Sequence, residues 1–254
     1  MNQVLDLLGD LLGLVFVLVC LGLIVGALVT GRGRPGVNLR EIGAFQRLRR
    51  EVGLAVESGR RLHISLGRGN LFGTQAGSAL VGLTLLDRCA RAASSSDRPP
   101  VATSGDPLVA VLSQDTLRGA YRSLNVEGRY DPSSGRVGGL TPFSYAAGAM
   151  IPAQDEQVTA NLLCGHFGAE AALIVEAGER KGSLSVASSD SLTGQAVLLA
   201  TAQEPLIGED LYAGGAYLGA GPVHAASLRM QDIMRWVLIA AMLLGALLKL
   251  GGVL

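Results

Sequence analysis

The chain has 254 residues, 49% hydrophobic and 17% charged, and its 21 basic residues balance 21 acidic ones. Zero net charge excludes a general attraction to nucleic acid, and three cysteines exclude a disulfide framework and fit a reducing compartment. A mean hydropathy of +0.39 is high for a soluble domain and low for a polytopic transporter, so the apolar excess is concentrated, and it lies at the two ends.

The first concentration is Leu11 to Thr30, which carries no charge. A secretory signal places basic residues before its apolar core. Here residues 1–10 hold Asp6 and Asp10 and no Lys or Arg, whereas Arg32, Arg34, Arg40, Arg47, Arg49 and Arg50 follow. The run is therefore expected to stay as a membrane helix over 7–30, with its basic flank on the cytoplasmic side. The second concentration, Trp236 to Leu254, has Arg229 and Arg235 before it and Lys249 near its end, where the amine can snorkel. Both runs give one topology: two passes of the plasma membrane, both termini outside, residues 31–231 in the cytoplasm. Gly22, Gly26 and Thr30 share a face of the first helix, and Ala241 and Gly245 a face of the second, which suits close helix contact within the chain or between subunits.

Within residues 31–60, the stretch 37–58 places Leu39, Ile42, Phe45, Leu48, Val52 and Val56 at helical spacing. It reads as a basic juxtamembrane helix, lying on anionic head groups or presenting its arginines to solvent. From 61 to 221 a strand-then-helix rhythm occurs four times. The expected strands are 61–67, 101–105, 158–165 and 183–189. The expected helices are 74–94, 106–124, 166–181 and 190–202, with a further one at 207–219. The turn-rich excursion 125–157 holds one short helix at 143–150. Asp106 is placed to cap its helix with Pro107 at the first turn. Residues 222–235 form a linker helix leading to the membrane run 236–254. The fold class is α/β: a Rossmann-like, mostly parallel sheet between an N-terminal and a C-terminal transmembrane helix.

In such sheets ligands sit beyond the carboxyl ends of the strands. Those ends carry Gly67, Arg68, Gly69 and Asn70; Thr103, Ser104 and Asp106; Gly165 and His166; and Ser188 and Ser189. Amides at such turns can bind an anion, and the same residue types also serve as ordinary caps and turns. Gly67, Gly69 and Gly73 make an imperfect dinucleotide fingerprint. Its partner acid is missing from the second strand end, since Asp87 lies in a helix and Asp106 suits a cap, so no nicotinamide cofactor is expected. No Walker A loop occurs. Cys164, His166 and Glu170 fall short of a zinc set, His166 reads as a helix N-terminal residue, and Asp190 reads as a cap. No metal, cofactor or catalytic residue is assigned.

The segments ESGRRLHISLGRGNL, VATSGDP, GHFGAEAALIVEAGER and ASSDSLTGQAVLLATAQEPLIGEDLYAGGAYL, followed by a C-terminal apolar run, resemble one uncharacterised family of prokaryotic membrane proteins, a domain of unknown function. The similarity runs from about residue 40 to the end. It implies the same topology and carries no catalytic residue, substrate or cofactor. The functional expectation is a membrane-anchored scaffold that forms homo-oligomers in the bilayer. The alternatives are a sensor binding a nucleotide or other small anion at the strand ends, and an enzyme, which would need a charged dyad drawn from Asp106, His166 and Asp190.

Overall fold

The computed structural model describes residues 2–31 and 39–251. The described chain divides into two compact units, one formed by its two ends and one by residues 40–220.

In the first unit, α1 (Asn2–Gly31) and α9 (Pro222–Leu250) pack against each other. Both are long and apolar enough to cross a membrane, with mean hydropathies of 3.0 for Gly9–Val29 and 2.0 for Pro222–Leu250. The expected linker at 222–235 and the membrane run after it are one continuous helix, because no Pro or Gly interrupts them before Gly245. Cys20, Leu23, Ile24, Ala27 and Leu28 form the half-buried stripe of α1. A Cβ built on Gly22, Gly26 or Gly245 would meet no atom within 4 Å, and Gly245 is half-buried. Thr30, Arg32 and Arg34 lie outside the residues whose side chains are described.

The second unit is a six-stranded, all-parallel sheet. Its strands are β1 (Arg61–Gly67), β2 (Val101–Ser104), β3 (Gly135–Val137), β4 (Val158–His166), β5 (Leu184–Ser189) and β6 (Glu204–Leu206), in the spatial order β3-β2-β1-β4-β5-β6. This is the doubly wound Rossmann order, whose direction reverses between β1 and β4. The four expected strands are present within a residue or so. They are buried along nearly their whole length, polar residues such as His63, Ser65 and Asn161 included, because helices cover both faces. The two short strands β3 and β6 were not expected; Pro205 lies in β6, at an edge where its missing N–H does no harm.

One face carries α2 (Gly43–Ser58), α3 (Ala76–Ala92), α4 (Pro107–Ser123) and α8 (Asp210–Tyr217). The other carries α5 (Pro142–Asp155), α6 (Ala171–Glu179) and α7 (Leu192–Thr201). Each face builds its own core, one around Ile64, Leu66, Leu86 and Leu162, the other around Leu163, Phe167, Ile174 and Leu198. The chain is divided differently from the sequence-based boundaries at α2. Phe45, Leu48, Val52 and Ala55 are buried in the first core, so this helix is a layer of the domain rather than a separate juxtamembrane element. Three arginines of this segment pair within the domain: Arg40, just before the helix, with Asp210 at 3.0 Å, Arg47 with Glu204 at 2.6 Å, and Arg49 with the Tyr217 carbonyl, to which it donates. Phe45 stacks on Tyr217 with ring centroids 4.8 Å apart.

Candidate functional site at the strand ends

The carboxyl ends of the strands are joined to one another in series. Gly138 N–H donates to Ser104 O, Gly105 N–H to Gly67 O, Arg68 N–H to His166 O, and Asp190 N–H to Gly165 O. Beneath them the Tyr145 hydroxyl accepts from Gly67 N–H at 3.0 Å, bonds Ser65 Oγ at 2.6 Å and donates to Thr103 O at 3.3 Å. Burial pushes the Tyr145 hydroxyl's pKa above its ordinary value, which keeps the group neutral.

The glycines at the switch point make room for chain rather than for ligand. Gly67 has φ +70°, and a Cβ there would lie 2.5 Å from His166 O. A Cβ on Gly165 would collide with the Leu66 carbonyl, and one on Gly69 would stand 3.3 Å from the His166 Cβ. The β1 and β4 loops therefore lie against each other where the order reverses.

Two polar bridges close the gap. Arg68 Nε donates to Glu170 Oε1 at 3.1 Å, with its stem laid over Gly105. Burial alone would raise the Glu170 carboxyl, but the amides of Gly168 and Glu170 and the Arg68 guanidinium outweigh it and hold the group below the usual range. On the other side, His166 Nδ1 lies 2.7 Å from Asp190 Oδ1, Ser78 Oγ donates to Asp190 Oδ2 at 2.6 Å, and Gln75 Nε2 lies 3.2 Å from His166 Nε2. An ionised Asp190 only accepts, so Nδ1 carries the imidazole proton and Nε2 takes the Gln75 amide.

This corrects two expectations. His166 ends β4 and precedes α6 by several residues, so it is not a helix N-terminal residue. Asp190 is not the cap of α7; Ser191 is, accepting from Gly194 N–H. Ser78 stands in the first turn of α3, so the Asp190 carboxylate sits where a Rossmann domain holds a pyrophosphate.

The remaining predicted residues are not brought to this crevice as ligand donors. Thr103 Oγ1 bonds His63, the Ser104 hydroxyl closes a turn with the backbone of Asp106, and Asp106 caps α4 by accepting from Val109 N–H at 3.0 Å. Ser188 Oγ donates to Leu163 O, and Ser189 Oγ donates to Phe167 O while accepting from Phe167 N–H and Ser191 N–H. Of the predicted residues, Arg68, Asn70, Asp106 and His166 keep polar side chains partly open to solvent, and Asp106 is taken up by its cap. Gln75 and Ser78 were not assigned from sequence, where they are unremarkable helix and loop residues, and Glu170 was weighed there only as a member of an incomplete zinc set.

The chemistry is correspondingly limited. His166 and Asp190 form the charged dyad that an enzyme would need, without Asp106. The nearest hydroxyl, Ser78, is engaged with Asp190. The Cys164 thiol is buried, and its pKa is pushed up to about 12 by that burial, so it is no nucleophile at neutral pH. Among the described residues no three His, Cys, Asp or Glu side chains are grouped to hold a metal.

The chain belongs to a family defined by a domain of unknown function, DUF6754, whose model matches residues 6–253 and so extends through α1 as well. No curated protein and no solved structure matches the chain.

Proposed function

We propose that the protein is a structural, assembly-forming module held at the membrane by α1 and α9. The observation that carries this reading is the self-filled strand-end crevice. The space that a Rossmann sheet leaves for a ligand holds Gly67, Gly69, His166 and Asp190, with Arg68–Glu170 bridging over it. The basic residues between 32 and 50 support a two-pass plasma-membrane topology with both termini outside and the domain in the cytoplasm.

Two observations support assembly. On α1, Gly13 and Gly22 are exposed and a Cβ built on either would meet no atom within 4 Å, which suits close approach of a neighbouring subunit. The strand-end rim also displays large apolar side chains: Phe72 is 92% exposed and Leu192 83%, joined by Leu140 and Phe143. We take this rim as the face where copies of the chain meet. The test is the particle mass of the full chain in nanodiscs, for the wild type and for Phe72→Glu with Leu192→Glu. A discrete homo-oligomer that the double variant dissociates supports the reading; a monomeric wild type overturns it.

A second reading rests on His166. Its imidazole is a quarter exposed, and Asp190 fixes its tautomer so that Nε2 points toward Gln75. A small anion would displace Gln75 there and bring a proton to Nε2, so that the imidazolium donates to both the anion and Asp190. Stoichiometric release of such an anion on denaturation favours this reading over the first.

A further inference from the structure

Away from the strand ends, α2, α3 and the residue after α8 line a half-open cavity of about 190 Å³. Its wall is Val52, Cys89, Ala92 and Leu218, with Arg49 and Arg88 at the polar side. No carboxylate lines it. The Arg49 guanidinium holds the Tyr217 carbonyl. The Arg88 Nε is buried and has no hydrogen-bond partner. Its one ion pair is a long 3.9 Å approach to Asp87, whose carboxylate is hydrogen-bonded instead to Arg91 at 2.8 and 2.9 Å.

A buried guanidinium donor without an acceptor is costly, and more so beside an apolar wall. A second cavity, of about 330 Å³ at the amino-terminal end of the strands, shows the contrast. There Arg61 Nε is also buried without a partner, but Glu156 and Asp131 line the wall, Arg61 and Arg136 converge on Glu156, and Arg98 donates to Gln157, so that cavity carries its own carboxylates where the α2–α3 cavity has none.

We infer that the α2–α3 cavity is a binding site for an anionic amphiphile, with a carboxylate or phosphate on Arg88 and Arg49 and a short length of acyl chain against Val52, Ala92 and Leu218. The volume holds about six water-sized groups, which fits six or so methylenes. The head group supplies the acceptor that Arg88 Nε lacks. The tail displaces water from a wall that offers it few partners. A neutral head group leaves the guanidinium unpaired, and a short acid leaves the wall wet. Because the chain also carries two helices able to span a bilayer, the amphiphile has two sources: a free carboxylic acid or an anionic lipid.

The test is equilibrium binding of radiolabelled octanoate to the full chain in phosphatidylcholine nanodiscs, with empty discs subtracted. Saturable binding is expected, strengthening about fourfold per methylene from butyrate and levelling off near octanoate. Octanol should bind at least tenfold more weakly. Arg88→Gln should weaken octanoate by tenfold or more. Ala92→Phe, at an exposed position on the rim, should abolish binding while the circular dichroism and melting temperature stay as in the wild type. Repeating the titration in discs with phosphatidylglycerol separates the sources: loss of octanoate binding identifies the lipid as occupant, and unchanged binding identifies a free acid. Octanol binding as tightly as octanoate, no signal above empty discs, or two variants that bind like the wild type would overturn the inference.

Discussion

Acid should destabilise the domain through one buried imidazole. His63 lies at the centre of β1 with no exposed surface. Its Nδ1 is 2.8 Å from Asn161 Oδ1 and its Nε2 is 2.9 Å from Thr103 Oγ1. Asn161 Nδ2 donates to the Ile174 carbonyl, so its oxygen faces His63 and Nδ1 must be the protonated nitrogen. Burial lowers the His63 pKa from 6.5 to about 4, only partly offset by the Asn161 hydrogen bond. The folded state therefore holds the neutral ring while the unfolded chain takes up a proton below pH 6.5. The contribution is fully present above 6.5 and is lost as pH falls from 6.5 toward 4, at up to about 1.4 kcal/mol per pH unit and roughly 3 kcal/mol in all. By pH 5 the loss is about 2 kcal/mol on the same arithmetic. The assay is urea unfolding of the full chain in detergent, followed by near-ultraviolet circular dichroism, for the wild type and His63→Gln at pH 7.5 and 5. The variant removes the titration but keeps an amide able to donate and accept. The stability gap between the two proteins should shrink by about 2 kcal/mol at the lower pH. A gap that does not change with pH would refute the assignment of a buried neutral imidazole.

Three further substitutions probe the framework. Tyr145→Phe removes the hydroxyl that serves Ser65, Gly67 and Thr103, leaves the Gly67 amide buried without a partner, and should cost about 1–3 kcal/mol in urea unfolding. Gly148→Ala would drive a methyl into the Gly138 backbone under α5, with an expected loss of about 1–3 kcal/mol and a lower melting temperature. Asp106→Ala removes the cap of α4 at roughly 1 kcal/mol and should leave the particle mass unchanged, because its carboxylate accepts only from Val109.

What the sequence discloses follows the range of the interactions. The four expected strands are short runs rich in Val, Leu, Ile and Ala next to Gly, Ser and Pro, and the Asp106–Pro107 cap is a local signal, so both are legible. The strands β3 and β6 have three residues each, contain Gly135 and Pro205, and exist only because a neighbouring strand accepts them. The apolar side of α2 suits a bilayer or a sheet equally well, and only the open half of the first face, over β4 to β6, decides between them. His63 sits inside an apolar run, and its partner Asn161 is 98 positions away. The candidate site is the hardest case. Ser78 and Asp190 are separated by 112 positions, and each taken alone is ordinary cap chemistry. Glycine-rich strand ends look the same whether a backbone or a phosphate approaches them.

The most direct test of the self-filled crevice is hydrogen exchange on the full chain in nanodiscs, read at 67–75 and 165–170, combined with analysis of small molecules released on denaturation. The account predicts slow exchange at both segments in the purified protein, unchanged by added nucleotides or phosphate. Any co-purifying amphiphile should protect 49–52 and 88–92 instead. A stoichiometric nucleotide-sized anion, whose removal speeds exchange at 67–75 and 165–170, would contradict it and make the strand ends a binding site.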